Sequence, residues 1–357
     1  MKNILISTGG SGGHVKPALN IYDHLKNKFQ VNITSDRRGE KFINQNYQYD
    51  LFHVPNIYSH IILRPFKVII YFISVIKAFL YLKRSKINTL ISTGGYMSLP
   101  FCIAARFLKI KIYLFEPNMV LGRSNKFILK YCEKIFCYDK NIINFPKELN
   151  HKIFLIEPFL SKKIYSQKKN SEKHFDNEIK LLVLGGSQGA KFFDKFTVKL
   201  ILDLSKNIKI KVYQQVYDKN KIVELETIYK NSKIDFELFS FDNNVNENMQ
   251  YYDLAITRCG ASTLAELAFL NIPFIGIPFP FAKDNHQFFN AKYYEEKNCC
   301  WLIDQSKIRE GEIINIFNSF ISSKSDYNLK LNNLKKLTFK NSWNNINKKL
   351  INLLDEY

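Results

Sequence analysis

With 357 residues, 46% of them hydrophobic and 24% charged, the chain has enough apolar material for two ordinary domains and is not composed like a disordered protein. A net charge of +20 points to anionic partners: nucleic acid, an anionic membrane surface or anionic substrates. No arginine-rich run, helix-turn-helix pattern or aromatic RNA-binding signature accompanies the charge, so nucleic acid is set aside, and six cysteines without a Cys-x-x-Cys pair read as reduced, buried thiols of a cytosolic protein.

The first apolar run, Ile4-Leu5-Ile6, passes straight into Gly9-Gly10-Ser11-Gly12-Gly13-His14. That suits a buried strand turning tightly into a helix, and not the apolar region of a secretory signal. Glycines let the backbone bend sharply and a ligand approach it, while the N–H groups of the following helix face the loop. Val31–Thr34 predicts a second strand, closed by Asp36.

Pro65 suits the first turn of a helix, and Phe66 to Leu82 is apolar on nearly every side. Only Lys67, Ser74 and Lys77 interrupt it, and it falls short of the ~20 apolar residues of a membrane span. Val68, Phe72, Val75 and Phe79 are expected to face the core. Phe66, Ile70, Ile73 and Ile76, with Lys77 beside them, would then meet either an anionic bilayer surface or a second protein layer.

Thr89–Ser92 predicts the next strand, followed by Gly94-Gly95. Ile112–Phe115 ends at Glu116-Pro117-Asn118, and Ile135–Tyr138 and Ile153–Ile156 follow. Ser161 to Glu178 is polar, lysine-rich and aperiodic, and reads as a linker region. Leu181–Leu184 then runs into a second loop, Gly185-Gly186-Ser187-Gln188-Gly189-Ala190. Ile210–Tyr213, Asp235–Phe239, Leu254–Thr257 and Phe274–Ile277 continue the strands, and Tyr327 to Tyr357 has a helical pattern. Strand–helix alternation of this kind predicts parallel sheets covered on both faces, with ligands at the carboxyl ends of the strands. Two such loops half a chain apart predict two α/β domains facing across a cleft, with a phosphate-bearing ligand between them.

The densest candidate site is Thr257-Arg258-Cys259-Gly260-Ala261-Ser262-Thr263-Leu264-Ala265-Glu266. Small residues opening a helix can cradle a diphosphate with backbone N–H groups and hydroxyls. Glu266 is placed either to accept hydrogen bonds from ribose hydroxyls or simply to sit favourably in the first turn of a helix. Pro278 to Gln287 gathers further polar groups, including His286 and Gln287, at another helix start. No carboxylate pair of the Asp-x-Asp type and no metal-ligand cluster is visible, so neither metal nor cofactor is expected.

Six motifs in order now carry a resemblance: GGSGGH at 9–14, GGY at 94–96, EPN at 116–118 with Asn125-Lys126, GGSQGA at 185–190, RCGASTLAE at 258–266 and DNHQ at 284–287. Together they resemble the bacterial UDP-N-acetylglucosamine:undecaprenyl-diphospho-N-acetylmuramoyl-pentapeptide transferases, over essentially the whole chain. The resemblance implies the GT-B fold, two Rossmann-like domains. Residues 1–160 would take the lipid acceptor (lipid I), 161–178 would link, and 179–339 would hold UDP-GlcNAc, with a last helix, about 340–357, packing back on the first domain. It implies an inverting transfer of GlcNAc to the 4-hydroxyl of lipid-linked MurNAc, giving lipid II for peptidoglycan. Ser187 would touch the diphosphate, Ala261 to Ala265 (with Ser262, Thr263 and Leu264) would form the phosphate-binding helix start, Glu266 would bind the ribose and Gln287 the GlcNAc. Ser11, Gly12, Gly13 and Asn118 would close over the sugar, and His14 would be the general base, with Glu116 as the other candidate and turn-capping as the other role for His14. Phe66, Ile70, Ile73, Ile76 and Lys77 fall where the family docks on the cytoplasmic face of the inner membrane, where other cell-wall synthesis proteins are possible partners.

The chain departs from the family at Phe115, usually His, at Pro117, often Gln, and at Leu160, usually Arg, for which Lys162 or Lys163 are substitutes by position. Rival readings are a GT-B enzyme with another lipid acceptor, such as diacylglycerol, an NAD-dependent oxidoreductase with Asp36 as its ribose acid, and a catalytically dead basic surface binder.

Overall fold

The computed structural model describes residues 2–55, 64–169, 178–186, 190–240, 245–308 and 310–355, without the side chains of 64–67, 246, 247, 310, 312 and 320–322. Ser187 therefore lies outside the described residues. The chain forms two compact units, Met1–Lys162 with Ser342–Tyr357, and Lys163–Asn341.

The first unit contains β1 (Asn3–Ser7), β2 (Gln30–Ser35), β3 (Asp50–Leu51), β4 (Thr89–Ser92), β5 (Lys111–Glu116), β6 (Lys134–Cys137) and β7 (Ile153–Leu155). They form one sheet in the order β3-β2-β1-β4-β5-β6-β7, and every pair is parallel. Ile6 on β1 lies opposite both Ile33 on β2 and Ile91 on β4, and all three are buried, because helices cover both sheet faces. Strand order reverses between β1 and β4. That reversal brings the loop after β1 beside Thr93-Gly94-Gly95 after β4, at the crevice where open parallel sheets bind ligands.

The second unit repeats this plan with β8 (Glu178–Leu184), β9 (Lys209–Gln215), β10 (Asp235–Phe239), β11 (Leu254–Thr257), β12 (Phe274–Gly276) and β13 (Cys300–Leu302). Its order is β10-β9-β8-β11-β12-β13, again all parallel. The reversal between β8 and β11 sets Gly185-Gly186 beside Arg258.

Three expectations change. Strand β8 begins at Glu178, which the sequence assigns to the linker, and a four-residue helix, Lys162–Tyr165, occupies part of that segment. The helical tail is two helices, Ser325–Leu337 and Trp343–Asp355, interrupted at Thr338–Ser342. The second packs on the first unit: Trp343 stacks on His24 with ring centroids 3.7 Å apart, and Lys349 pairs with Glu157 at 2.8 Å.

The third change concerns the apolar helix, which spans Arg64–Arg84. Val68 and Phe72 were expected in the core but are exposed, at 42% and 66%. The buried stripe is one step around: Ser74, Ala78 and Leu82, with Tyr71, Val75 and Phe79 partly covered. Its small residues allow close packing against the Leu99–Phe107 helix. Ser74 satisfies its hydroxyl by donating to the Ile70 carbonyl at 2.9 Å. Val68, Ile69, Ile70, Phe72, Ile73, Ile76 and Leu80 are left on the surface, with Lys77 exposed among them.

Candidate functional site

His14 lies in the first turn of the Gly12–Leu25 helix, half-buried. Its Nδ1 is 2.7 Å from the carbonyl oxygen of Thr93. A carbonyl can only accept, so Nδ1 carries the proton and Nε2 carries the lone pair in the neutral ring. Thr93 is itself fixed, since its hydroxyl donates to the Thr8 hydroxyl at 2.8 Å and joins the ends of β1 and β4. The ring lies against Gly94, whose φ of +87° few other residues tolerate and where a Cβ would stand 3.4 Å from the ring. Ser11 is the N-cap residue but makes no side-chain capping bond; Gly12 is buried and Gly13 exposed beside it.

The loop before His14 is held by Asp36. Its Oδ1 accepts from the N–H of Gly10 and of Gly39, each at 2.8 Å, and its Oδ2 accepts from the Tyr96 hydroxyl at 3.3 Å. A Cβ on Gly9 would lie 2.8 Å from the same carboxylate, which accounts for glycine there. Asp36 is 6% exposed and committed to the protein backbone, an arrangement that removes it as the ribose acid of the oxidoreductase reading.

Glu116 closes β5 and is also buried. It accepts from the Asn118 backbone N–H at 3.3 Å and side-chain amide at 2.9 Å, the Gly122 N–H at 2.7 Å and the Asn125 amide at 3.0 Å. These bonds wrap the chain from 116 to 125 around one carboxylate and set Asn118 half-exposed at its rim. The departure Phe115 is a core residue, packed on Tyr138 and Phe159; Leu160 is buried too, while Lys162 and Lys163 are exposed.

In the second unit, Gln215 braces the glycine loop: its Oε1 accepts from Gly185 N–H at 2.9 Å and its Nε2 donates to the Gly186 carbonyl at 3.0 Å. Beside it the Ala261–Phe269 helix starts at Gly260. Ala261, Ser262 and Thr263 are half-buried in its first turn, with Leu264, Ala265 and Glu266 buried behind them. Gln287 links this start to the Pro278–Gln287 loop, because its Oε1 accepts from Cys259 N–H at 3.2 Å and Phe279 N–H at 2.9 Å. Just before it, Asp284 and Asn285 both hold left-handed backbone (φ 53° and 54°), strain of the kind found at ligand sites.

Arg258 is a participant that the sequence presents only as one letter of a motif. It is 5% exposed and donates to the carbonyls of Ile277 (3.1 Å) and Pro278 (2.9 Å) and to Gln305 Oε1 (2.6 Å), with its guanidinium 4.9 Å from the Phe193 ring centre. Burial lowers its pKa to about 10, so it stays charged at neutral pH. Among the described residues no group of three or more His, Cys, Asp or Glu side chains is placed to hold a metal ion, and all six cysteines are buried free thiols.

The chain therefore places two glycine loops, each at a strand-order reversal, with His14, Ser11, Gly12, Gly13, Glu116 and Asn118 on the first unit and Ala261 to Glu266 and Gln287 on the second. The chain is similar to known proteins along its length. Residues 4–137 match the glycosyltransferase family 28 N-terminal domain and residues 180–346 its C-terminal domain. A Pelagibacter ubique UDP-N-acetylglucosamine--N-acetylmuramyl-(pentapeptide) pyrophosphoryl-undecaprenol N-acetylglucosamine transferase is 48% identical over 356 residues, 99% of each chain. A Rickettsia bellii protein of the same description is 32% identical over 88% of this chain and 89% of its own. The crystal structure of Acinetobacter baumannii MurG superposes with a TM-score of 0.75 at 20% identity over 100% of both chains. A Polygonum tinctorium UDP-glucosyltransferase gives 0.71 at 12% identity, over 99% and 97%. The fold is GT-B, and the chain belongs to the glycosyltransferase family 28 UDP-N-acetylglucosamine--N-acetylmuramyl-(pentapeptide) pyrophosphoryl-undecaprenol N-acetylglucosamine transferases.

Proposed function

We propose that this chain transfers GlcNAc from UDP-GlcNAc to the 4-hydroxyl of MurNAc in undecaprenyl-diphospho-MurNAc-pentapeptide, lipid I, and so makes lipid II. The observation that carries this reading is the full-length 48% identity to a curated transferase of that name. The first unit takes the lipid acceptor and the second the nucleotide sugar. His14 Nε2 accepts the proton of the attacking hydroxyl; the new bond forms at the anomeric carbon from the face opposite UDP, and the bond to UDP breaks with its electrons on the diphosphate. The Thr93 carbonyl supports this role, because it selects the ring tautomer with a basic Nε2 and stabilises the imidazolium that forms. Glu116, fully engaged with its own turn, is a positioning residue that presents Asn118. Ser11, Gly12 and Gly13 close over the sugar. The Ala261–Ala265 helix start and Ser187 hold the diphosphate, Glu266 the ribose hydroxyls and Gln287 the GlcNAc ring.

The same reading puts the protein on the cytoplasmic face of the inner membrane, held peripherally. No described helix is long and apolar enough to cross a membrane. Support comes from the exposed Ile70, Ile73, Ile76 and Phe72 of one helix, with Lys77 among them and Lys83 and Arg84 at its end. Phe107, 74% exposed at the end of the helix packed against it, is an apolar residue that the sequence pattern does not single out. The test is mass-spectrometric detection of lipid II after incubation of the purified chain with UDP-GlcNAc and lipid I; a chain that leaves lipid I unchanged overturns the proposal.

A further inference from the structure

We infer that Arg38 is the residue that recognises the diphosphate of the acceptor; this rests on the lipid I reading above. Arg38 follows the Asp36 N-cap in the short Arg37–Glu40 helix. Its guanidinium carbon stands 4.8 Å from the centre of the Tyr96 ring, and its Nε is 3.5 Å from Asp36 Oδ2. Its Nη2 reaches to 3.6 Å of the position a Cβ would take on Gly10. The group is thus held by Tyr96 and Asp36 beside the glycine loop that leads to His14.

The fixation has a cause that the fold alone does not require. Asp36 gives Oδ1 to two backbone N–H groups and shares Oδ2 with Tyr96, and its contact to Arg38 is a single long one, made to Nε at 3.5 Å. The Arg38 side chain keeps 55% exposure, against 8% for Asp36, so a pre-oriented cation faces solvent at the carboxyl end of the sheet. Tyr96 and the Asp36 carboxylate hold the fork in place, so little rotamer freedom remains to be lost when an anion binds. Gly10 has no side chain, so an anion can reach both the guanidinium and the loop backbone. An acceptor whose 4-hydroxyl meets His14 carries its diphosphate on C1, across the same sugar ring, so the diphosphate falls about one ring's width from the base, and a planar fork suits paired phosphate oxygens.

The experiment measures equilibrium binding of a short-chain prenyl diphosphate and the matching monophosphate to the full chain, with saturating UDP present, alongside lipid I transfer kinetics. The wild type should prefer the diphosphate. R38M, which keeps an apolar stem over Tyr96, and R38A should lose that preference by about 10- to 100-fold, the loss of one or two charge-assisted hydrogen bonds. R38K should recover part of it. In transfer, KM for lipid I should rise by a similar factor while KM for UDP-GlcNAc stays within about twofold. Unchanged diphosphate preference in R38M, or a parallel rise in both KM values, overturns the assignment even if transfer is robust. A wild type that prefers the diphosphate through Arg38 but forms no lipid II overturns the transfer reading and leaves Arg38 as an anion-binding residue.

Discussion

His14 and Thr93 are joined across the strand-order reversal of the first sheet, ring nitrogen to backbone carbonyl, at 2.7 Å. The contact converts an ordinary histidine into one with a defined basic nitrogen. Replacing His14 with Ala should lower turnover about 10²- to 10⁴-fold, the usual loss on removing a general base. UDP affinity, measured by calorimetry, should barely move. A matching fall in UDP affinity would make His14 a loop-shaping residue instead.

Glu116 provides the contrast. Changing it to Gln places an amide N–H₂ among the N–H donors of Gly122, Asn118 and Asn125, so a buried donor is left facing donors. Thermal unfolding should show a loss of about 1–3 kcal/mol, with turnover reduced but the acid limb of the pH–rate profile kept. Disappearance of that limb with unchanged stability would make Glu116 the base.

His24 makes stability depend on pH. It is 2% exposed beneath Trp343, and burial lowers its pKa from 6.5 to about 4. The unfolded chain therefore binds a proton that the folded chain refuses between those values. Stability is fully present above pH 6.5 and is lost as pH falls toward 4, by up to ~3 kcal/mol from this group. Denaturant midpoints between pH 7 and 4.5 should fall less steeply in His24→Phe, which keeps the stack; equal slopes would remove His24 from the effect.

Much of this was legible in the sequence, for physical reasons. Central strands such as Leu181–Leu184 and Leu254–Thr257 are buried on both faces, so they read as unbroken apolar runs. Edge strand β3, two residues long, carries no such signal, while β13 sits in the short apolar run 299–303, which follows a helix closely and carries no strand assignment from the sequence. The helix Arg64–Arg84 misled because it is apolar all round: periodicity cannot mark a core face when the surface face is equally apolar, and Ser74 and Ala78 held the buried stripe. Motif positions single out His14 and the first glycine loop, but not the groups that hold them. Thr93 acts through its backbone carbonyl, and Asp36 reaches Gly10 from 26 residues away, relations set by strand order and invisible to local pattern.

The surface of that helix should bind membranes. Changing Ile73 and Ile76, 44% and 58% exposed, to Ser should weaken co-sedimentation with vesicles containing anionic lipid without altering thermal stability. Raising ionic strength should weaken it further, as expected for a contribution from Lys77, Lys83 and Arg84. Equal binding to neutral and anionic vesicles would assign the attraction to apolar contact alone.

The most direct measurement is transfer of radiolabelled GlcNAc from UDP-GlcNAc, in excess EDTA, with lipid I and diacylglycerol offered in parallel. Label should enter lipid II at a rate unaffected by EDTA, and diacylglycerol should stay unlabelled. Label in diacylglycerol alone, or none in either lipid, would contradict the assignment of this chain as the lipid I transferase; loss of transfer with EDTA, restored by magnesium, would contradict a mechanism in which protein groups alone stabilise the departing diphosphate.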